Sequence, residues 1–404
     1  MMAVDPIENP IENPIDDAIE SLGWDSIWAA AFAPYAAAAP GRQPGRVIEA
    51  HRDNWIIGTQ AGDRDARVSG RVRHEAAHPA DLPAVGDWVA ADLGVAEEET
   101  ETDTGAKPDT GAKTGTHTRT HAARAVIHAV LPRRSAFRRS DDEGQASTEQ
   151  VLAANVDIAL VVTGLDGDFN LRRLERYIAV AWAGGTTPVI VLNKADMATD
   201  PHEYVAAAQA IAPGVDVRLI AALTGEGVAQ LAADYLQPCR TAVVLGSSGA
   251  GKSTLVNTIA GREIMRTGAV RASDGKGRHT TTHRQLLRLP GGALLVDTPG
   301  IRSLGVARAD AGLDATFADI FDLAALCRFA NCHHEQEPSC AIQAALADGT
   351  LDADRMEAYR KLEREAGHVA RSADRLAREA ETRKWKTIQI ASREHQTRKY
   401  GTHK

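Results

Sequence analysis

The sequence predicts a multidomain α/β protein with a small N-terminal β-barrel, a central doubly wound domain and a C-terminal helical domain that binds a metal. Short runs of alternating polar and apolar residues lie between residues 45 and 132, apolar strands alternate with helices between residues 155 and 304, and three cysteines crowd into residues 327–340. The first pattern is typical of a barrel, and the second of a parallel sheet covered on both faces.

Length and composition exclude several protein classes. The 404 residues are too many for one ordinary domain, and 44% of them are apolar, which is enough to build more than one core. No apolar run is long enough to span a bilayer, and the first residues lack the pattern of a signal peptide. We therefore expect a soluble, cytoplasmic protein with no membrane contact.

The net charge of −8 is unevenly distributed along the chain. Residues 1–41 contain seven acidic side chains and no Lys or Arg, whereas residues 383–404 contain seven basic side chains and one acidic side chain. A basic end of this kind is typical of a segment that binds a polyanion, and equally of a solvated helix. Both interpretations stay open.

The first part of the chain divides into an extension, a barrel and a linker. Residues 1–44 contain the repeat PIENPIENPIDD and an apolar segment, Leu22 to Ala39, for which we predict a helix. Five predicted strands make up a barrel over residues 45–132: RVIEA, NWIIGTQ, ARVSGRVRH, GDWVAADL and AVIHAVLP. Residues 97–121 have almost no apolar side chains, so we expect a disordered insertion there, and residues 133–154 are expected to form a polar linker.

Residues 155–304 have the rhythm of a doubly wound domain. Five unbroken apolar runs predict buried strands, and two amphipathic segments between them predict helices. The strands are DIALVVT, PVIVLN, VRLIA, TAVVLG and ALLVD, and the helices are LRRLERYIAVAWA and STLVNTIAG. The rest of the chain, residues 305–404, contains helical patterns, the cysteine cluster and a long charged helix from about Asp352.

A phosphate-binding loop follows the fourth of these strands. GSSGAGKS matches the P-loop pattern, in which glycines let backbone N–H groups converge on phosphate oxygens at a helix N-terminus. We expect Lys252 to reach the β and γ phosphates and Ser253 to bind Mg²⁺. The predicted nucleotide-binding residues here are Gly246, Ser247, Ser248, Gly249, Ala250, Gly251, Lys252, Ser253 and Thr254.

The motif DTPG follows the strand ALLV. A carboxylate at the end of a buried strand can hold the hydration shell of Mg²⁺, and a glycine N–H can sense the γ phosphate, so we assign these roles to Asp297 and Gly300. The DxxG pattern is weak alone, because Asp and Gly are common in turns. It becomes strong downstream of a P-loop.

The segment NKAD predicts that the base is guanine. The carboxylate of Asp196 can accept hydrogen bonds from the N1–H and the N2 amine of guanine, a pair of donors that adenine does not present. Asn193 and Lys194 belong to the same segment. After the next strand comes AALTGEG, where GTPases place a Ser-Ala loop; Ala221 replaces the serine, and the backbone N–H of Ala222 is predicted to contact guanine O6.

The order of the motifs is base reader, base loop, P-loop, switch I and DxxG, which is a circular permutation of an ordinary GTPase. The chain resembles the circularly permuted, ribosome small subunit-dependent GTPase A family of bacteria, on these stretches: LGWDSIWAAAFAPYA, PAVGDWVA, LPRRSAFRR, EQVLAANVDIALVV, DFNLRRLERY, LNKAD, GSSGAGKSTLVN, GRHTTTHR and DTPG. The resemblance implies that the N-terminal barrel is an OB-fold and that a zinc-bearing C-terminal domain follows the GTPase domain. It also implies a role in late maturation of the 30S subunit, with GTP or GDP, the 30S subunit and 16S rRNA as partners of a monomer. The alternative is an RNA-binding assembly scaffold in which GTP sets affinity and hydrolysis is incidental.

The catalytic residue does not occupy its usual position after DxxG. Ras-like GTPases orient the attacking water with a glutamine after DxxG, but here that position is Ile301, which cannot bind water. The nearest candidate is His279 in the predicted switch I, beside Thr281, which we slightly favour over Thr280 and Thr282 as a Mg²⁺ ligand. A solvated loop histidine is the alternative. Lys252 completes the predicted catalytic set.

The cysteine cluster has the composition of a structural zinc site. Cys327, Cys332, His334 and Cys340 supply three thiolates and an imidazole, which is a closed tetrahedral set without an open position for catalysis. His333 is a rival for His334. Cys239 lies apart from the cluster and is expected to be a small core residue.

Two further expectations concern RNA and motion. Arginines of the barrel and linker are candidates for phosphate contacts whose affinity falls with salt: Arg71, Arg73, Arg133, Arg134, Arg138 and Arg139. Because DTPG directly precedes the C-terminal domain, we also expect that loss of the Gly300 contact to the γ phosphate moves that domain.

Overall fold

The computed structural model describes residues 19–51, 53–76, 78–94, 97–101, 117–121, 124–141, 148–265, 284–297, 310–329, 331–335 and 337–367. The N-terminal repeat, residues 266–283, residues 298–309 and the basic segment 383–404 therefore lie outside the described residues. Among the described residues, no helix combines the length and the apolar character needed to cross a bilayer.

The predicted N-terminal helix is present as helix α1, Ser26–Ala38, after a short 3-10 helix, Ile19–Leu22. Asp25 starts α1, because its carboxylate accepts hydrogen bonds from the N–H groups of Ile27 and Trp28, both at 2.9 Å. The helix packs on the barrel through Trp28, whose ring centroid lies 6.0 Å from that of Trp88.

Five strands form the predicted barrel. They are β1 Gln43–Ala50, β2 Trp55–Thr59, β3 Gly62–Val68, β4 Trp88–Asp92 and β7 Ala125–Val130. Their order is β1-β2-β3-β7-β4, and β4 pairs with β1 to close the ring. The prediction of one strand over ARVSGRVRH is wrong in its second half, because the Ser69 hydroxyl accepts from the N–H of Val72 and begins helix α2, Gly70–Glu75.

The insertion within the barrel is not wholly without structure. Its two ends form an antiparallel pair, β5 Glu97–Glu101 with β6 His117–His121, whereas residues 102–116 lie outside the described residues. A hairpin also occupies the segment for which a linker is expected: β8 Ala136–Asp141 pairs with β9 Thr148–Ala154. Backbone hydrogen bonds need no apolar side chains, so the polar composition of both segments conceals the strands.

The central domain contains all five predicted strands, in the parallel order β12-β11-β10-β13-β15. In chain order its elements are β10 Ile158–Gly164, α3 Leu171–Ala183, β11 Thr187–Asn193, α4 Pro201–Ile211, β12 Asp216–Leu219, α5 Val228–Tyr235, β13 Thr241–Leu245, α6 Lys252–Ala260, β14 Arg284–Arg288 and β15 Leu294–Asp297. Strand β14, which the sequence patterns do not predict, is antiparallel to β15 and pairs on its other side with β1 of the barrel. The barrel and the central domain therefore share one sheet.

A buried arginine lies where the N-terminal segment, the barrel and the central domain meet. The guanidinium of Arg46 donates to the carbonyl oxygens of Leu22, Gly86 and Asn155 and to the hydroxyl of Thr241, and only 2% of the residue is exposed. Burial lowers the pKa of Arg46 to about 10, although nearby carboxylates oppose the shift, so the side chain stays charged at neutral pH.

The C-terminal helices are attached to helix α3 through the first of them and through Arg355. They are α7 Asp310–Thr316, α8 Ala318–Ala324, α9 Ala341–Asp348 and a helix over residues 353–367, where a long charged helix is expected. Arg355 donates to Glu175 of α3 at 2.8 Å and to Asp319 of α8 at 2.9 Å, and Glu175 is only 1% exposed. Burial raises the pKa of Glu175 despite the opposing charge of Arg355. The C-terminal domain is thus fixed to the central domain by a buried ion pair.

Candidate nucleotide site and metal centre

The motifs that the sequence separates converge at one edge of the parallel sheet. Asn193 ends β11, Gly246 follows β13, and Asp297 ends β15. Because β11, β13 and β15 run parallel in one sheet, their carboxyl ends lie at the same edge, where doubly wound domains bind nucleotides.

The phosphate loop requires glycine at two positions. Gly246 has a φ of +142°, and a Cβ there would lie 2.1 Å from the carbonyl oxygen of Val162. Gly251 has a φ of +92°, and its Cβ would lie 2.2 Å from the side-chain nitrogen of Asn193. Any other residue would force the loop away from β10 or from the NKAD segment, so the glycines of the motif fit the geometry closely.

Lys252 begins helix α6 and points back into the loop. Its ammonium group donates to the carbonyl oxygens of Gly246, at 2.9 Å, and of Ser247, and the residue is only 7% exposed. The loop therefore holds the cation at the helix N-terminus, where positive potential favours phosphate. Ser253 and Thr254 lie in the first turn of the same helix, Ala250 is buried, and Ser248 and Gly249 are exposed.

Asn193 joins the base-reading segment to the phosphate loop. Its amide nitrogen donates to the carbonyl oxygen of Ala250 at 2.9 Å, and its amide oxygen accepts from the N–H of Ala222 at 2.9 Å. The N–H predicted to contact guanine O6 is thus engaged by Asn193 in this structure, and a contact to the base requires that it be shared or exchanged. Ala221 is completely buried.

Lys194 and Asp196 both follow the end of β11, but their surroundings differ. Lys194 has a φ of +64° and forms an ion pair with Asp166, in the loop after β10. Asp196 lies in the 3-10 helix Ala195–Met197 and is exposed, as expected of a carboxylate that meets a ligand. Gly300, His279 and Thr281 lie outside the described residues, so the predictions for them stay predictions.

The predicted zinc ligands come together. One ligand atom from each of Cys327, Cys332, His334 and Cys340 lies within 4.8 Å of the others. The Cys327 and Cys340 sulfurs are 3.9 Å apart, and each is 3.5 Å from Nδ1 of His334. A tetrahedral zinc with ordinary bond lengths separates its ligands by about 3.6–3.8 Å, so the four residues fit this ion.

The surroundings of the cluster favour His334 over its neighbour. The His334 carbonyl accepts from Gln343 at 2.6 Å and from Arg360 at 2.9 Å, whereas His333 is exposed and outside the cluster. Burial raises the pKa of the Cys327 thiol, but the N–H groups of Ala341 and Ile342 and the neighbouring thiols outweigh it, and the pKa lies below its ordinary value. Burial and the two neighbouring thiols raise the pKa of Cys332 to about 11, so within the cluster the thiolate form is favoured at Cys327 and opposed at Cys332.

Several sequence-based expectations about single residues need correction. Cys239 is exposed and has a φ of +65°, so it is not a core residue. Arg133 is largely buried against Asp87 and the carbonyls of Ala80 and Leu82, so it is structural.

The other candidate arginines are also engaged. Arg134 lies over the Trp28 ring and pairs with Asp25, while Arg71 and Arg73 pair with Glu75 and Asp53. Arg138 and Arg139 lie on β8 and have partners of their own. The ion pairs of Arg71, Arg73 and Arg134 reduce the positive potential that the sequence suggests for the barrel and linker.

A family model and the curated relatives that resemble this chain carry the same name. The sequence model described as RsgA GTPase matches residues 130–307. A protein of Opitutus terrae named small ribosomal subunit biogenesis GTPase RsgA is 46% identical over 368 residues, which cover 91% of this chain and 95% of that protein. A Streptomyces coelicolor protein of the same name is 43% identical over 365 residues, which cover 90% of each chain.

Two solved structures have the same fold. YjeQ from Thermotoga maritima gives a TM-score of 0.54 at 24% identity, with 80% of this chain and 97% of that chain covered. YloQ, described as a circularly permuted GTPase, gives 0.51 at 21% identity, with 81% and 96% covered. The permuted motif order and the three-part architecture are therefore features of a known fold.

Proposed function

This chain belongs to the RsgA GTPase family, and from that premise we propose that it hydrolyses GTP during late maturation of the small ribosomal subunit. The hydrolase activity is that of the family. The proposal adds that the 30S subunit stimulates hydrolysis and that conversion of GTP to GDP and phosphate drives release of the protein from the subunit.

The observation that carries the proposal is the double hydrogen bond of Asn193. It fixes the NKAD segment against both the phosphate loop and the base loop, at 2.9 Å in each case. One rigid site can then read guanine and hold the phosphates at once, which is what selective binding of GTP requires.

The roles of the remaining site residues follow from their positions. Ser253 is the proposed protein ligand of Mg²⁺ on the described edge of the sheet, with Thr281 added from switch I, and Asp297 is proposed to hold the hydration shell of the ion. When bound with GTP, the ion neutralises charge on the β and γ phosphates. His279 is proposed to orient the attacking water once a partner closes the loop, and Gly300 to sense the γ phosphate.

The zinc and the RNA contacts belong to the flanking domains. Cys327, Cys332, His334 and Cys340 would hold one zinc ion, which would fix the loop between α8 and α9. We propose 16S rRNA as the polyanion, bound by the barrel, the C-terminal domain and the basic segment 383–404, and a cytoplasmic monomer as the working form.

Hydrolysis of GTP and of ATP should be measured with the purified protein, alone and with isolated 30S subunits. Strong stimulation by the subunits with GTP alone is the expected result. Equal slow rates with and without subunits would favour the scaffold, in which hydrolysis is incidental. Equal binding of ATP would refute the assignment of Asp196 as a guanine reader.

A further inference from the structure

The segment DFNLRRLERY, residues 168–177, contacts two parts of the molecule that are far apart in sequence. It follows β10 and contains the first half of helix α3. Neither the base reader nor the metal cluster includes it. Asn170 begins the helix by accepting from the N–H of Arg173 at 3.0 Å, so the position of Asp168 is fixed relative to α3.

Asp168 contacts the phosphate loop directly. Its carboxylate accepts a hydrogen bond from the hydroxyl of Ser247, the second residue of the loop. The carbonyl oxygen of Ser247 in turn accepts from the ammonium of Lys252. A single residue, Ser247, therefore links Asp168 to Lys252, whose ammonium group is expected to contact the β and γ phosphates.

Arg173 holds Asp168 in this position. Its guanidinium donates to the carboxylate of Asp168 at 2.6 Å and also to the carbonyl oxygen of the same residue. The Asp168 side chain is 24% exposed and that of Arg173 is 36% exposed, so solvent weakens the ion pair, but two hydrogen bonds to one residue fix its orientation.

The same helix is held by the C-terminal domain. Glu175 bonds Arg355, and a Cβ on Gly312 of α7 would lie 2.1 Å from the carbonyl oxygen of Ala179, so α7 touches the backbone of α3. Helix α3 is thus fixed from one side, and its N-terminal end presents Asp168 to the loop.

We propose that Asp168 is a positioning residue that holds the phosphate loop in its binding conformation through Ser247. The inference rests on the proposed function only in that the loop binds GTP. Because the loop is held before the nucleotide arrives, less ordering is required on binding, and loss of the contact weakens affinity for GTP and GDP alike.

The test is a double-mutant cycle on nucleotide affinity with the full chain. Asp168→Asn, Ser247→Ala and the double variant are titrated with fluorescent GDP and a non-hydrolysable GTP analogue. Each single variant should bind about tenfold more weakly, since a hydrogen bond to a charged group is lost. The double variant should be no weaker than either single variant within about twofold, because both remove the same contact.

The control is Asp234→Asn on helix α5, which removes the charge of a carboxylate that pairs with Arg218 of β12. It should bind as the unaltered protein does. The ratio of GTP to ATP affinity should stay unchanged in the Asp168 and Ser247 variants, because Asp196 is untouched. A general loss of folding would instead lower the denaturation midpoint, and the weaker binding would then not be specific to the contact between Asp168 and Ser247.

Affinity of Asp168→Asn equal to that of the control, or additive losses in the double variant, would overturn the inference. Ser247→Ala is the smaller change and keeps the test valid if Asp168→Asn does not fold. The result is also separate from the proposed function: an unaltered protein that binds GTP but ignores 30S subunits refutes the ribosomal role and leaves the cycle interpretable.

Discussion

Asn193 is the residue on which the two halves of the nucleotide site depend. Asn193 is 2% exposed, and its amide group forms hydrogen bonds with the carbonyl of Ala250 and the N–H of Ala222. Both alanines are buried, with 0% of Ala250 and 1% of Ala222 exposed. Asn193→Ala would leave both groups buried without a partner, at a cost of about 1–3 kcal/mol each. We expect a lower denaturation midpoint and at least about tenfold weaker GDP binding, measured by chemical denaturation and fluorescence titration.

Asn54→Ala, in the turn between β1 and β2, is the matched control and should leave nucleotide affinity unchanged. Unaltered GDP affinity in Asn193→Ala would contradict the bridging role. The sequence predicts Asn193 as a site residue, but not its bridge, because the two partners come from segments that only the folded sheet brings together.

His279 is the residue proposed to orient the attacking water. His279→Ala should keep GTP affinity and lose most of the 30S-stimulated rate, by about 10²-fold or more, if the imidazole positions water. His283→Ala, in the same stretch of sequence, is the control. A normal stimulated rate in His279→Ala, measured by single-turnover phosphate release, would show that water is oriented by another group.

At the scale of elements, helix α7 depends on a glycine for its contact with α3. A Cβ at Gly312 would lie 2.1 Å from the carbonyl oxygen of Ala179 and 2.7 Å from the N of Ala183, and neither backbone atom can move freely. Gly312→Ala should therefore separate the helices and cost about 1–3 kcal/mol, detected by urea denaturation and by faster proteolysis of the C-terminal domain. Gly70→Ala, where a Cβ meets no atom within 4 Å, should not destabilise the protein. Equal stability of the two variants would contradict the close contact.

The metal cluster should stabilise the C-terminal domain alone. Cys340 is 5% exposed and belongs to the core formed by α7, α8 and α9, with Cys327 and Cys332 packed against it. Cys340→Ser should lose zinc and expose residues 310–367 to protease, while GDP affinity stays nearly unchanged. Cys239→Ser, outside the cluster, should retain one zinc by atomic absorption. Full zinc content in Cys340→Ser would refute the ligand assignment.

Strands and helices with a buried, apolar face could be predicted from the sequence, whereas polar strands could not. The apolar runs of β10, β11 and β13 and the amphipathic α3 were predictable because burial on one or both faces determines their composition. Strand β14, with the sequence RQLLR, has too few apolar residues to stand out, and its pairing with β1 and β15 is a tertiary property. The hairpin of β8 and β9 is missed for the same reason.

At the scale of the whole molecule, both flanking domains are attached to the central domain by specific contacts. Glu49 and Ala50 of the barrel pair with Gln285 and Arg284 of β14, the strand that follows the predicted switch I. The C-terminal domain rests on α3 through Arg355 and Glu175. A movement triggered at DTPG, as the motif order suggests, must therefore break or carry the contact with α3.

Arg46 provides the sharpest test of this attachment, because it bonds three regions from one buried position. Arg46→Leu would leave the buried carbonyls of Leu22 and Asn155 without their donor, so the barrel and the central domain should loosen together. Amide hydrogen exchange should rise in both β1 and β13, where Thr241 also loses its partner.

Arg46→Lys should loosen the barrel and the central domain too, because one ammonium group cannot reproduce the forked geometry of the guanidinium. Arg67→Leu, at an exposed position of β3, is the control and should leave exchange unchanged. Faster exchange in β1 alone would mean that Arg46 stabilises only the barrel, and that β1 and β14 hold the two domains together without it.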